Sequence, residues 1–149
     1  MARCRRRARR HQGSDPRVER LRTIALLARL PQCDLEVIAH HADWTTRPAG
    51  TVLSRQGHFG PQCFLLAAGY LAVVRDGRPV GLLEPGTIAG EQGPLTSLRC
   101  AERLVALTRV ELAVLDARSL QIVLHASPAL DREVRRLVAD RAPHAAPTR

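Results

Sequence analysis

Apolar positions recur with a helical period at both ends of this chain and with a shorter, alternating period in its middle. After Asp15 and Pro16, an N-cap residue and a first-turn proline, Val18, Leu21, Ala25 and Ala28 fall on one face with Ile24 and Leu27 beside them. That is the spacing of an amphipathic helix, and Pro31 is predicted to end it. A second, short helix is predicted over residues 34–42, with Leu35, Ile38 and Ala39 inward. From Trp44 onward short apolar runs alternate with glycines, and strands are predicted over 51–54, 63–67, 70–75, 80–83, 103–108 and 110–115. Val110, Leu112 and Val114 carry a clear period of two, and Asp76-Gly77 suits a hairpin turn because both residues tolerate positive φ. The helical period returns with Leu120, Val123 and Leu124 after the cap Asp116. A last helix is predicted from Ser127-Pro128, with Leu130, Val134, Leu137 and Val138 as its apolar face.

The order of helices, many short strands and helices again predicts a mainly β domain with flanking helices, a double-stranded β-helix or jelly-roll barrel rather than a parallel sheet. A chain of 149 residues fits one domain. The predicted organisation is an Arg-rich disordered tail over 1–14, a domain over 15–141 and a disordered tail over 142–149.

Composition narrows what that domain does. Aromatic residues make up 3% of the chain, so the core must be built from Leu, Val, Ile and Ala. The formal charge is +9, but Arg3, Arg5, Arg6, Arg7, Arg9 and Arg10 supply most of it with no acid among them. The body is therefore near balance and is not a basic DNA-binding surface; the tail alone could attract nucleic acid or an anionic membrane surface, the alternative being an inert solubilising or mis-assigned start region. All 23 basic residues are Arg, a bias typical of GC-rich coding and pointing to a bacterial source. No apolar run reaches the length of a membrane span. Cys4, Cys33, Cys63 and Cys100 form no C-x-x-C pair, which argues against a zinc or redox motif and for reduced thiols in a cytoplasmic protein.

The stretch from Gly86 to Ala101 carries the chemistry. It places Gly90 and Gly93 around Glu91 and brings back a base, Arg99, eight residues after the acid. A glycine followed by a short helical turn exposes backbone N–H groups to an anion. An arginine returning to the same place adds a bidentate, charge-assisted partner for phosphate oxygens, and a carboxylate beside them accepts hydrogen bonds from sugar hydroxyls. Phosphate plus sugar describes a nucleotide. The bland alternative is a turn closed by a Glu91–Arg99 ion pair.

Residues from about 24 to 138 resemble the cyclic-nucleotide-binding domain family, the sensor of catabolite-activator-type regulators, cAMP-dependent kinase regulatory subunits and gated channels. The stretches 89–95 and 98–101 resemble its phosphate-binding cassette, F-G-E-x-A/G-L followed by P-R-x-A. Residues 50–57 and 64–73 resemble the family's glycine-bounded strands, and Leu82 to Gly86 the turn into the cassette. The resemblance implies that Glu91 binds a ribose 2′-hydroxyl and Arg99 a cyclic phosphate. It also implies that Gly90 and Gln92 offer backbone groups, and that Cys100 and Ala101 line the pocket. The ligand implied is cAMP in preference to cGMP, with no other cofactor. Departures from the pattern are Ala89 in place of the aromatic, a shortened loop, Pro94, and Cys100 at a position that discriminates poorly between the two nucleotides.

The resemblance implies a non-catalytic sensor that signals through its last helix, as a homodimer or to a protein partner, with Val134, Leu137 and Val138 as candidate contacts. The residues after that helix are too few for a helix-turn-helix module. The alternative is a degenerate relative without ligand, acting as a protein-interaction module. Metal catalysis of the cupin kind is not prefigured, since His40 and His41 are adjacent and His58 stands alone. No nucleophile motif is present either.

Overall fold

Alternation in the middle of the chain builds two four-stranded antiparallel sheets. They are described in a computed structural model that covers residues 15–91 and 99–141. The strands are β1 (Asp43–Arg47), β2 (Val52–Ser54), β3 (Gln62–Ala68), β4 (Leu71–Arg75), β5 (Arg78–Leu83), β6 (Ile88–Ala89), β7 (Arg103–Ala106) and β8 (Val110–Asp116). One sheet has the order β1-β8-β3-β6 and the other β2-β7-β4-β5. The crossing of early and late strands in both sheets is the jelly-roll arrangement expected from the sequence. Asp76 (φ 52°) and Gly77 (φ 76°) make the two-residue turn between β4 and β5, where Arg75 faces Arg78.

The first sheet is buried on both faces, which explains why Cys63–Phe64–Leu65–Leu66 reads as a continuous apolar run. Phe64 and Leu66 join Val110 and Leu112 from β8, and Leu71, Val73, Leu104 and Ala106 from the second sheet, in a core between the sheets. Val114 packs against the same core, so the period of two seen in β8 does point inward. Cys63, Leu65, Ala113 and Leu115 point the other way, into a second core roofed by helices. Those helices are α1 (Pro16–Arg22), α2 (Gln32–His41), α3 (Ala117–Ala126) and α4 (Pro128–Arg141). Asp15 caps α1 by accepting from Arg17 N–H at 2.9 Å, and Asp116 caps α3 by accepting from Ser119 N–H at 2.7 Å.

Several elements differ from the sequence expectation. The first helix ends at Arg22; Thr23 Oγ donates to Arg20 O at 2.6 Å, Ile24 is extended, and Ala25–Leu27 form a separate 3-10 turn. Leu26 N–H donates to Gly86 O at 3.1 Å, so a contact with the β5–β6 turn redirects the chain while Ile24 and Leu27 stay buried. Strands β1 and β6 were not expected, because Trp44 stands alone among polar neighbours in β1 and β6 is only two residues long. The proposed tails, 1–14 and 142–149, lie outside the described residues. Among the described residues Cys63 and Cys100 are free thiols, and Cys4 lies outside the described residues.

The last helix is tied into the helical core. Val134 is fully buried there, and Leu137 packs against the same cluster. Two of the three residues expected to offer a dimer contact are thus occupied within the chain. Burying a side chain of that size contributes about 1.5–3 kcal/mol to docking the helix on the domain. The third, Val138, is not described.

Candidate functional site

The short strand β6 delivers the glycine–acid pair to its place. Phe64 of β3 faces Ala89 and Leu65 faces Ile88, so the chain leaves β6 alongside β3 and turns immediately at Gly90. That turn needs glycine on two grounds. Its φ is +72°, and a Cβ there would lie 3.1 Å from Gln62 O and 3.3 Å from the Phe64 ring. Phe64 covers the glycine from across the sheet and supplies, from β3, aromatic volume next to the small Ala89. The turn drives Glu91 inward, where it is 2% exposed. A carboxylate this buried is retained only with polar compensation.

The returning arm is zipped to the loop between β2 and β3. Gly57 N–H donates to Cys100 O at 2.8 Å, Cys100 N–H donates to His58 O at 2.7 Å, and Phe59 forms an isolated antiparallel bridge with Arg99. A Cβ at Gly60 would collide with Cys100 Sγ, so glycine there lets the thiol pack against the loop backbone. Arg99 is exposed; its Nη1 donates to Gly57 O at 2.8 Å, and its guanidinium carbon lies 4.9 Å from the centroid of the Phe59 ring.

An open cleft of about 260 Å³ lies next to these arms, and its lining includes residues of the loop to which the returning arm is zipped. It is bounded by β2, by the loop that carries His58 and Phe59, and by Gln62 and Phe64 of β3. A side chain at Gly90 would meet Gln62 and Phe64, and the Arg99 guanidinium lies over Phe59, so each end of the sequence motif neighbours a wall of the cleft without itself lining it.

Among the described residues no ion pair joins Glu91 to Arg99. Burial, and then the negative charge of Glu91, push the Cys63 thiol up to about 12. Cys63 is therefore a neutral, unreactive core residue at physiological pH. Among the described residues the Arg99 side chain donates to Gly57 O alone, and a planar guanidinium has further N–H donors to offer an anion.

Of the residues singled out from the sequence, Gly90, Glu91, Arg99 and Cys100 sit on the two arms as just described, and Ala101 lies exposed immediately after them. Gln92 lies outside the described residues, as does Pro94. Sequence reasoning overlooked Gly57, Phe59 and Gly60 as parts of this site. Phe59 had a signal that could have found it: one of only two Phe, set in a Gly- and Pro-bounded segment with no core periodicity to absorb it. Among the described residues no group of three or more metal-ligating side chains converges, and no helix is long and apolar enough to cross a membrane.

Comparison with known proteins fits this geometry. The family model for the cyclic nucleotide-binding domain matches residues 45–127. The cGMP-dependent protein kinases egl-4 of Caenorhabditis briggsae and Caenorhabditis elegans are each 35% identical to this chain over 75 residues. Those residues are 50% of this chain and 10% of each kinase, so the chain spans a small part of these relatives. Among solved structures, cAMP-bound PfPKA-R superposes with a TM-score of 0.75 at 19% identity, over 85% of this chain and 44% of that one. The Thermus thermophilus catabolite activator protein gives 0.71 at 24% identity, over 81% and 59%. The regulatory subunit of a cAMP-independent protein kinase A from Trypanosoma cruzi, bound to guanosine, gives 0.64 at 18% identity, over 76% and 43%. The structural likeness extends the match beyond residues 45–127 to the flanking helices, and with more than half of the sequence matched, the chain belongs to the cyclic nucleotide-binding domain family.

Proposed function

We propose that this chain is a non-catalytic sensor domain that binds a cyclic nucleotide, cAMP in preference to cGMP, between Glu91 and Arg99. The observation that carries the reading is Arg99. It stands exposed beside the cleft, anchored by one backbone carbonyl and with no acidic partner among the described residues. A guanidinium held this way is suited to a phosphate arriving from solvent, at the cost of few existing contacts. The buried Glu91, on the other arm of the motif, supplies acceptors for sugar hydroxyls, while Gly90 keeps side-chain bulk away from the turn.

Preference for cAMP rests on Cys100. Its thiol is a weak donor and packs against Gly60, so it offers a guanine base little that a hydroxyl would offer. The likeness to the cGMP-dependent kinases favours the second nucleotide, and both belong in the test. The guanosine-bound Trypanosoma cruzi protein is described as cAMP-independent, so the fold by itself does not dictate a cyclic phosphate; the argument here rests on Arg99.

The signal would leave through α4. Ligand drawn between the two arms shifts the population of cassette positions, and α4, which begins just after Ser127, responds only if the ligand binds those positions with different affinity. A partner reading the exposed side of α4 completes the route, within an intracellular setting.

Titration calorimetry with cAMP, cGMP and guanosine on the wild type, Arg99→Ala and Glu91→Gln tests the reading. Binding of cAMP that weakens at least tenfold in both variants is the expected result. Absence of binding to the wild type at millimolar nucleotide sinks the sensor and leaves a ligand-free interaction module.

A further inference from the structure

Phe59 is an unusual expenditure for this chain. Only two Phe, one Trp and one Tyr are present, and the core is otherwise aliphatic, yet Phe59 is 67% exposed in the β2–β3 loop. Its position is not left to chance. The backbone bridge to Arg99 and the two flanking hydrogen bonds between residues 57–58 and Cys100 fix the loop in register with the arm that carries Arg99. The consequence is a guanidinium over the ring face at 4.9 Å, with Nη1 tied to Gly57 O at 2.8 Å. A long arginine side chain on an exposed strand otherwise samples many rotamers, and immobilising it when ligand arrives costs affinity. Two contacts from one loop, a ring face and a carbonyl, restrict that sampling before any ligand is present. Neither contact neutralises the charge, as a carboxylate partner would.

We infer that Phe59 is the positioning residue for Arg99, holding the guanidinium at the mouth of the cleft so that a phosphate meets a charge already in place. The inference rests on the cyclic-nucleotide reading above and adds to it a residue of the β2–β3 loop outside the cassette itself. An aromatic ring does this better than an aliphatic side chain of similar bulk, because the quadrupole of its face attracts the cation while leaving the N–H edges open.

The test compares Phe59→Leu and Phe59→Tyr, alone and combined with Arg99→Ala, using cAMP and adenosine as probes. Adenosine carries base and sugar but no phosphate. Phe59→Leu is expected to weaken cAMP binding on the order of three- to tenfold, with adenosine affinity unchanged. Phe59→Tyr should restore the cAMP affinity, and in the Arg99→Ala background Phe59→Leu should have no further effect. In ligand-free protein, the Arg99 side-chain N–H resonance should lose its ring-current shift in Phe59→Leu and keep it in Phe59→Tyr. Equal losses for cAMP and adenosine, or an additive effect on top of Arg99→Ala, would show that Phe59 merely shapes the loop and would overturn the inference. So would an Arg99 resonance indifferent to Phe59. Wild-type protein that binds neither probe overturns the cyclic-nucleotide reading itself and removes the role with it, whereas tight wild-type binding with a neutral Phe59→Leu overturns only the role of Phe59.

Discussion

Ser127→Ala isolates the contact that ties the last helix to the first part of the chain. Ser127 is 1% exposed; its hydroxyl donates to Asp34 Oδ2 at 2.7 Å and accepts from Leu130 N–H at 3.3 Å. One oxygen therefore caps the N-terminus of α4 and bridges to α2, 93 residues away in sequence. Alanine removes both bonds. The cap is worth about 1 kcal/mol. A hydrogen bond to a charged group contributes about 1.5–3 kcal/mol, and losing it leaves a carboxylate oxygen that is itself nearly buried short of a donor. The sum is about 2.5–4 kcal/mol, a large part of the roughly 5–15 kcal/mol that holds a domain of this kind folded. Urea titration of wild type and variant, followed by far-UV circular dichroism, reads this as a lower midpoint at unchanged slope. Asp34→Asn and the double variant close a thermodynamic cycle. A coupling energy of at least about 1 kcal/mol is expected because the two side chains touch directly. A loss below about 0.5 kcal/mol in Ser127→Ala, or strict additivity with Asp34→Asn, would refute the reasoning and show the start of α4 to be held by apolar packing alone.

Three further outcomes follow from Gly90 and Cys63. Gly90→Ala forces an unfavourable φ of +72° and presses a methyl group on Gln62 O and the Phe64 ring, so it should lower stability by about 1–3 kcal/mol and weaken cAMP binding in the same calorimetric assay; a stable variant with unchanged affinity contradicts the turn geometry. Cys63, buried and with its thiol pushed up to about 12, should resist maleimide in native protein at neutral pH while the partly exposed Cys100 reacts, as peptide mapping by mass spectrometry would show. Because the folded pKa of this acid is raised, its contribution is present below the unfolded value of 9.0 and is lost as pH climbs from there toward about 12. Stability that rises over that alkaline range in a Cys63→Ala comparison would contradict the buried neutral thiol.

Legibility of the fold followed the length of each pattern. The period of two in Val110, Leu112 and Val114 and the helical stripes of α3 and α4 each repeat often enough to fix which face is buried. The two-residue strand β6 and the largely polar β1 carry no such repeat; they become strands because β3 and β8 present open edges beside them. The predicted first helix failed at Thr23 for the same reason in reverse. Its apolar spacing is helical, but the contact of Leu26 with Gly86 is made by a segment 60 residues later in the chain, which no local pattern encodes.

The sequence by itself determined the jelly-roll class and the family, because strand alternation, glycine-bounded turns and a glycine–acid–arginine motif are local signals that survive without coordinates. It also marked Gly90, Glu91 and Arg99 as the residues to watch. Only the tertiary structure decided how those charges are used. It buries Glu91 beside Cys63 and leaves Arg99 at the surface, so that the two do not neutralise each other. It also brings Gly57 and Phe59 onto Arg99 across 40 residues of chain, and turns the apolar face of α4 into its own core at Val134. Periodicity specifies that a face is apolar or a residue charged. What meets that face or that charge depends on chain crossings between distant strands, and these are fixed only when both sheets and their helices pack together.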